Sequence, residues 1–277
     1  MNSLHDLKNL SDTLPRRAAK MPVLFVGHGS PMNAIEDNEF SLHWEKMGKT
    51  LPEPSAVLVI SAHWLSKGTK VTAMENPKTI HDFGGFPKEL FEVEYPTPGL
   101  PSLALETKNL IQSTEVELDH DWGLDHGTWS VVRRMFPEAK IPVLQLSIDY
   151  PRTGQYHYDL GKELAALREK GVLIIGSGNM IHNLRMVYWE KLNEPNFGYD
   201  WAHELNRTLK SKIESKSHND LINYHSLGEA AKLAIPTPDH YFPLLYTLGL
   251  QSNSDDIEFF NDKLVAGSLN MTSIKIG

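Results

Sequence analysis

Five histidines stand in short, distinctive motifs, and imidazole is both a frequent ligand of transition metals and the usual acid or base near neutral pH. The motifs are GHGSP around His28, SAHW around His63, GLDHGTW around His126, GNMIHN around His182 and TPDHY around His240. Several imidazoles brought together would hold a divalent metal ion, and another beside them could move a proton.

Short apolar runs rich in branched residues predict the strands that would carry these motifs. They span residues 22–26, 56–61, 141–148 and 172–176, with later runs at 257–260, 263–266 and 271–276 that suit edge or antiparallel strands. The four earlier runs are apolar throughout, which is typical of strands in a sheet that is covered on both faces.

Helical patterns fall between the strands, at residues 39–49, 101–113, 127–136, 153–170, 199–215 and 238–248. Strands that alternate with helices favour an α/β fold. No repeat, low-complexity tract or Gly/Ser linker divides the chain. We therefore predict a single catalytic domain over residues 21–277, with a mixed, largely parallel central sheet flanked by helices. Residues 1–20 are predicted to be an N-terminal extension, helical or mobile.

Three of the histidines follow predicted strands. His28 and His63 each come two residues after a strand, and His182 follows another strand by one turn of helix. Ligands of open α/β sheets bind beyond the carboxyl ends of the strands, so these side chains should meet at one edge. Glycines beside His28 and before His182 would permit close backbone approach. A lone histidine is more often a capping or surface residue, but the repeated position favours a metal site.

The other two histidines precede predicted helices. His240 is expected in a first helical turn, with Thr237 as N-cap and Pro238 at N1, either as a solvated ring or as a ligand from outside the strands. His126 would act as a general acid or base near a metal. Asp125 is a candidate to orient it, although sequence neighbours often point elsewhere.

Residues 75–100 carry four prolines and three glycines, together with several aromatic residues. A long irregular segment in a compact domain is often a functional loop, and a surface excursion held by its own aromatic rings is an equal alternative. Candidates to line a pocket are Trp64, Phe83, Phe86, Trp129 and Tyr241, with core packing the stronger interpretation for Trp129.

Composition excludes several classes of protein. There is no cysteine, so thiolate metal sites and disulfides are excluded. The net charge is -8 and no basic run stands out, so a nucleic acid partner is not expected. No apolar stretch approaches the roughly 20 residues that span a bilayer. Arg16-Arg17 precedes an apolar run that is too short for a signal core, so a cytoplasmic protein with no membrane partner is predicted.

Taken together, the motifs resemble those of the extradiol ring-cleaving dioxygenases of the LigB type, and within them the 4,5-DOPA extradiol dioxygenase group. The resemblance rests on GHGSPM at 27–32, SAHW at 61–64, HDFGGFP at 81–87, GLDHGTW at 123–129 and TPDHY at 237–241. It runs from about residue 21 to the C-terminus and implies an α/β core with a mixed sheet.

The resemblance also implies the residue roles. His28, His63 and His240 take the places of metal ligands, and His182 takes the place of a base or of a further ligand. His126 takes the place of a histidine that binds substrate and transfers protons. Iron(II) oxygenases usually present two histidines and one carboxylate, whereas a site of histidines alone is closer to a zinc site. One divalent ion per chain is expected, Fe(II) for activity or Zn(II) as the bound ion.

The implied activity is the opening of a catechol such as L-DOPA by O2 beside its diol (4,5-cleavage), which gives a ring-opened semialdehyde. His182 or His126 would take a proton from the catechol, and Trp64, Phe83, Phe86 and Tyr241 would bind it. Two other classes stay open, a zinc-dependent hydrolase and a non-catalytic metal-binding member of the fold. Nothing in the sequence indicates an oligomeric state.

Overall fold

The computed structural model describes residues 14–192 and 194–277. Its central sheet has eight strands within these residues. They are β1 Val23–Gly27, β2 Ala56–Ser66, β3 Thr69–Thr72, β4 Val116–Asp119, β5 Val143–Asp149, β6 Val172–Gly178, β7 Ile257–Phe260 and β10 Ser273–Ile276, while β8 Leu264–Val265 and β9 Leu269–Asn270 form a separate pair.

The strand order is β4-β3-β5-β2-β6-β1-β10-β7. The four central strands β5, β2, β6 and β1 run parallel, while β10 and β7 add antiparallel pairs at one side and β3 pairs antiparallel with β5 at the other. The predicted mixed, largely parallel sheet is confirmed. Strands β3 and β4 were not predicted, because runs of four residues with polar positions carry little pattern.

Helices cover both faces of this sheet. They are α1 Glu39–Thr50, α2 Lys88–Phe91, α3 Pro101–Leu110, α4 His126–Met135, α5 Gly154–Glu163, α6 Ala165–Glu169, α7 Asp200–Glu214, α8 His218–Ile222, α9 Glu229–Ala234 and α10 Phe242–Gly249. The helix predicted over 153–170 is divided into α5 and α6 at Leu164. Within the described ranges, none of the helices combines the length and apolar character that crossing a membrane requires. A cytoplasmic location stays a prediction.

The core lies on both faces of the sheet. Along β1, Val23 and Phe25 pack into one apolar cluster, and Leu24 and Val26 pack into the other. Two covered faces explain why the strand sequences do not alternate, and each such side chain contributes about 1.5–3 kcal/mol when fully buried. His157 lies outside the five histidine motifs, where a lone histidine is more often a capping or surface residue, yet it is buried and its Nδ1 lies 3.0 Å from the Tyr246 hydroxyl.

The segment before β1 adopts neither helix nor strand over residues 14–20. Its Arg17 donates to the Glu53 carbonyl at 2.6 Å and to the Ser55 hydroxyl at 2.7 Å, just before β2 begins. This part of the predicted extension is therefore tied to the amino edge of the sheet. Residues 1–13 lie outside the described residues, and the boundary at residue 20 stays a prediction.

Candidate metal centre

Two histidines reach the same level beyond the carboxyl edge of the sheet. Val26 of β1 and Ser61 of β2 both lie opposite Ser177 of β6. His28 and His63 each stand two residues beyond these aligned positions. The register of the parallel strands thus brings the two imidazoles together, as the sequence predicted.

His63 lies within a strand and not after one, which corrects the prediction. Strand β2 continues to Ser66, and its register with β5 shifts between Ile60 and Leu65. Such an irregularity inserts extra residues into one strand and changes where their side chains point. His63 stands at this irregularity, where its side chain is redirected from the regular pleat.

His240 comes from a turn that is fixed against the end of β6. Its carbonyl oxygen accepts a hydrogen bond from the Asn179 N–H at 2.9 Å. A Cβ on Gly178 would overlap that same oxygen, so the contact requires glycine. The predicted helix start at Thr237 and Pro238 was wrong, because α10 begins only at Phe242.

His182 also comes from irregular chain, although one turn of helix was predicted before it. Its N–H donates to the Ala234 carbonyl at 2.9 Å, and it forms an isolated bridge with Leu269. Its ring stacks on that of His240, with centroids 3.6 Å apart and planes 7° apart. Backbone contacts with distant segments, not helix formation, hold this residue.

The ring nitrogens of three predicted ligands, His28, His63 and His240, lie within 4.8 Å of one another. The Nε2 atoms of His28 and His63 are 3.1 Å apart. The fourth predicted ligand, His182, groups instead with Asp239 and His240. The two sets share His240. The first consists of histidines alone, and the second contains a carboxylate.

Hydrogen bonds behind the rings define which nitrogen carries the proton. Ser177 donates its hydroxyl to the Gly127 carbonyl at 2.5 Å, so at 3.0 Å it accepts from Nδ1–H of His28. Nδ1 of His240 donates to Asp239 at 2.5 Å. Each ring is left with a free Nε2 lone pair, which is the usual arrangement behind metal-binding histidines.

Burial disfavours the charged form of His28, His63 and His182. It is the main cause, followed by the surrounding imidazoles, that lowers the pKa of His28 and of His63 well below the ordinary value. Burial and the facing ring of His240 lower the pKa of His182 to about 3. Neutral imidazole is the form that binds metals. The Nε2 atoms of His28 and His63 are at hydrogen-bonding distance, 3.1 Å, and a cation bound between the rings would take the place of that contact.

His126 stands beside the three ligands, with its ring centroid 3.9 Å from that of His63. Asp82 orients it, since one carboxylate oxygen accepts from Nδ1 at 3.0 Å and the other accepts from the His126 backbone N–H at 2.9 Å. Burial opposes ionisation, but these bonds from His126 lower the pKa of Asp82. The Asp82 oxygen that accepts from Nδ1 of His126 also lies 3.5 Å from Nδ1 of His63.

Asp125, the candidate to orient His126, has a different role. It caps α4 by accepting from the Thr128 N–H at 3.1 Å. It also accepts from the Ser61 hydroxyl and from the Gln145 amide, each at 2.6 Å. Asp125 therefore ties the start of α4 to strands β2 and β5 and does not hold the imidazole.

Two of the four predicted substrate-binding aromatics lie at the site. The edge-on ring of Phe83 lies 5.5 Å from His126, and Phe86 packs against Phe83 at 5.4 Å. Residues 75–100 therefore bring Asp82 and Phe83 to the histidines, which favours the functional-loop interpretation over the surface excursion.

The other two aromatics belong to the core, which corrects the prediction. Tyr241 is fully buried and its hydroxyl donates to the Leu221 carbonyl at 3.0 Å. Trp64 is 3% exposed and stacks on Trp122 at 5.6 Å. Trp129 is fully buried too, as its core interpretation predicted.

Sequence reasoning assigned no role to Ser177 or Asp82. Ser177 stands near the end of β6, and Asp82 stands in the HDFGGFP motif. The pairing of Asp82 with His126 spans 44 residues. A carboxylate beside a histidine in a glycine-rich loop was the available signal, but it does not identify the distant partner.

Comparison with known proteins agrees with this geometry. A family model described as the catalytic LigB subunit of aromatic ring-opening dioxygenase matches residues 22–273. A 4,5-DOPA dioxygenase extradiol from Escherichia coli (strain K12) is 46% identical over 94% of this chain and 96% of its own length. One from Beta vulgaris is 34% identical, over 91% and 94%.

The fold has also been solved in a relative. The crystal structure of an uncharacterized protein from Escherichia coli K12 superposes with a TM-score of 0.81 at 42% identity, covering 93% of this chain and 100% of the other.

Proposed function

This chain belongs to the family of the catalytic LigB subunit of aromatic ring-opening dioxygenases, and we propose from that premise that it opens a catechol such as L-DOPA with O2. The proposed product is the semialdehyde of 4,5-cleavage. The observation that carries the proposal is the converging set of His28, His63 and His240 with the carboxylate-oriented His126 beside it. L-DOPA is proposed because relatives are named 4,5-DOPA dioxygenase extradiol.

His28, His63 and His240 are the proposed ligands of one divalent ion, which their converging ring nitrogens and the lowered pKa of His28 and of His63 fit. When bound, Fe(II) supplies the redox chemistry between catechol and O2 that amino acid side chains lack. The chain itself supplies geometry and proton transfer. Asp239 and Ser177 fix the orientation of two of the ligands from behind.

Proton transfer is proposed for the two histidines outside this ligand set. The Nδ1–H of His126 is held by Asp82, so its Nε2 lone pair is free to accept a hydroxyl proton from the catechol and to return it later. His182 is neutral and is proposed as a second base, not as a ligand. Phe83 would pack against the substrate ring from the side of His126.

Reconstitution with different metals tests the function. Metal-free protein is loaded anaerobically with Fe(II) or Zn(II), then given air with L-DOPA and a small panel of catechols. We expect O2 uptake in step with a yellow ring-fission product from the Fe(II) protein only. Metal binding without O2 uptake on any catechol would contradict the proposal and favour zinc-dependent hydrolysis or a non-catalytic role.

Asp239→Asn tests the arrangement behind His240. Asparagine keeps the size of the side chain but loses the charge that pairs with Nδ1–H. We expect metal affinity to fall about 10- to 100-fold, the usual effect of removing such a partner. Competition with a metal-sensitive chelator measures it, with exposed Asp121→Asn as the matched control. Equal affinity in both variants would show that Asp239 does not support a ligand.

A further inference from the structure

A cavity of about 730 Å³ is walled in part by Pro238 and Phe242, which stand two residues before and two residues after His240. The proposed reaction does not use this cavity. The polar part of its lining comes from the segment after β5, from the start of α5 and from the chain after α8. The main polar residues are Tyr150, Arg152, Gly154, Gln155 and Tyr224. A group bound here would lie next to the turn that carries Asp239 and His240.

Arg152 lines this cavity, and contacts with neighbouring side chains fix the plane of its guanidinium group. Its Nε donates to the buried Asp149 carboxylate at 3.2 Å, and its guanidinium carbon lies 5.0 Å from the centroid of the Tyr156 ring. Its terminal nitrogens make no hydrogen bond with the described residues. Two adjacent N–H groups on a fixed plane match the geometry of a carboxylate.

The start of α5 adds backbone donors. Thr153 caps the helix through Tyr156 N–H, whereas the N–H groups of Gly154 and Gln155 have no partner in the described part of the chain. The first turn of a ten-residue helix carries a partial positive charge. Both residues line the same cavity as Arg152.

A buried tyrosine supplies a further polar group. Tyr224 is 3% exposed, yet its hydroxyl makes no hydrogen bond with the residues that the structure describes. Its ring is fixed against Tyr241 and His225, at 4.7 and 3.9 Å between centroids. Burial first, then Tyr150 and Asp239, raise its pKa to about 12, so the hydroxyl stays protonated and can donate. Because Tyr241 directly follows His240, the ring contact places Tyr224 beside the turn that carries His240.

We propose that this cavity binds a carboxylate on the side chain of the aromatic substrate, with Arg152, the α5 amides and Tyr224 as donors. The inference rests on the proposed function and narrows its substrate class to catechols that carry a short acidic substituent. The two nearby carboxylates, Asp149 and Asp239, already accept from Arg152 Nε and from His240. The polar groups of the cavity that are left unpaired, on Arg152, at the start of α5 and on Tyr224, are hydrogen-bond donors, which suits a carboxylate ligand.

Two ligands that differ mainly in the carboxylate test this site. Anaerobic calorimetry measures the binding of L-DOPA and of dopamine to the wild type, to Arg152→Gln and to Tyr224→Phe. We expect Arg152→Gln to weaken the binding of L-DOPA about tenfold or more, and Tyr224→Phe to weaken it several-fold. The binding of dopamine should be unchanged in both variants. Exposed Arg207→Gln is the matched control and should change neither.

The outcomes separate this inference from the proposed function. If the variants lost affinity equally for both ligands, or lost none for L-DOPA, the carboxylate site would be overturned even if the Fe(II) enzyme consumes O2. A selective loss for L-DOPA in a protein that cleaves no catechol would support the site and contradict the dioxygenase. Both variants should melt within about 2 °C of the wild type, since Arg152 is half exposed and Phe retains the ring packing.

Discussion

His63→Ala should leave the protein folded but unable to retain its metal ion. His63 supplies one of the three ring nitrogens in the proposed ligand set, and its Nε2 faces that of His28 at 3.1 Å. Loss of a ligand should cost more than the roughly 10- to 100-fold typical for a residue behind one. The side chain is 20% exposed, so its truncation leaves only a small internal void.

Elemental analysis after dialysis measures this effect, together with O2 uptake on the Fe(II)-treated variant. We expect little bound metal and activity no higher than that of metal-free protein. His120→Ala removes an exposed imidazole and is the matched control, with full metal content expected. Wild-type metal content in His63→Ala would exclude this residue as a ligand.

His126→Ala should have the opposite pattern, with metal retained and turnover lost. His126 is oriented by Asp82 and lies outside the His28, His63 and His240 set. Removal of a general acid or base typically lowers the rate about 10²- to 10⁴-fold. We therefore expect kcat to fall within this range while the metal content stays near that of the wild type.

Asp82→Asn is the informative companion to this variant. It keeps a side chain that can accept from Nδ1–H but removes the charge, so a smaller loss of kcat is expected than for His126→Ala. Elemental analysis and O2 uptake on the same samples measure both quantities. Loss of the metal from His126→Ala would show that this residue is a ligand and would contradict the proposed proton transfer.

The fold was largely predictable because its information is local. Unbroken apolar runs such as that of β6 identify central strands, and their carboxyl ends must share one edge. That argument placed His28 and His63 together without any structure. It failed at the ends of elements, where β2 continues past His63 and α10 begins after His240, because irregular backbone is decided by tertiary contacts.

The partners of the proposed catalytic groups were not predictable for a related reason. His126 has an acidic neighbour in sequence, Asp125, but its actual partner is Asp82, 44 residues away. Similarly, Tyr241 stands beside the proposed ligand His240 yet points into the core, where its hydroxyl donates to the Leu221 carbonyl. Adjacency along the chain does not determine direction in space, and only the packed structure resolves it.

The histidine cluster combines residues on strands with residues on irregular chain, and these two kinds of segment differ in how readily their backbone unfolds locally. His28 and His63 are anchored in the middle of the sheet, where backbone opening requires nearly the whole molecule to unfold. His240 stands on a turn outside the sheet, which the bond from the Asn179 N–H to its carbonyl holds against the end of β6. Without the proposed ion, the turn of His240 can loosen while the strand side stays native. Reassembly then needs only the closing of that turn onto a preformed half-site, and an ion bound there would stabilise the folded state through the closure.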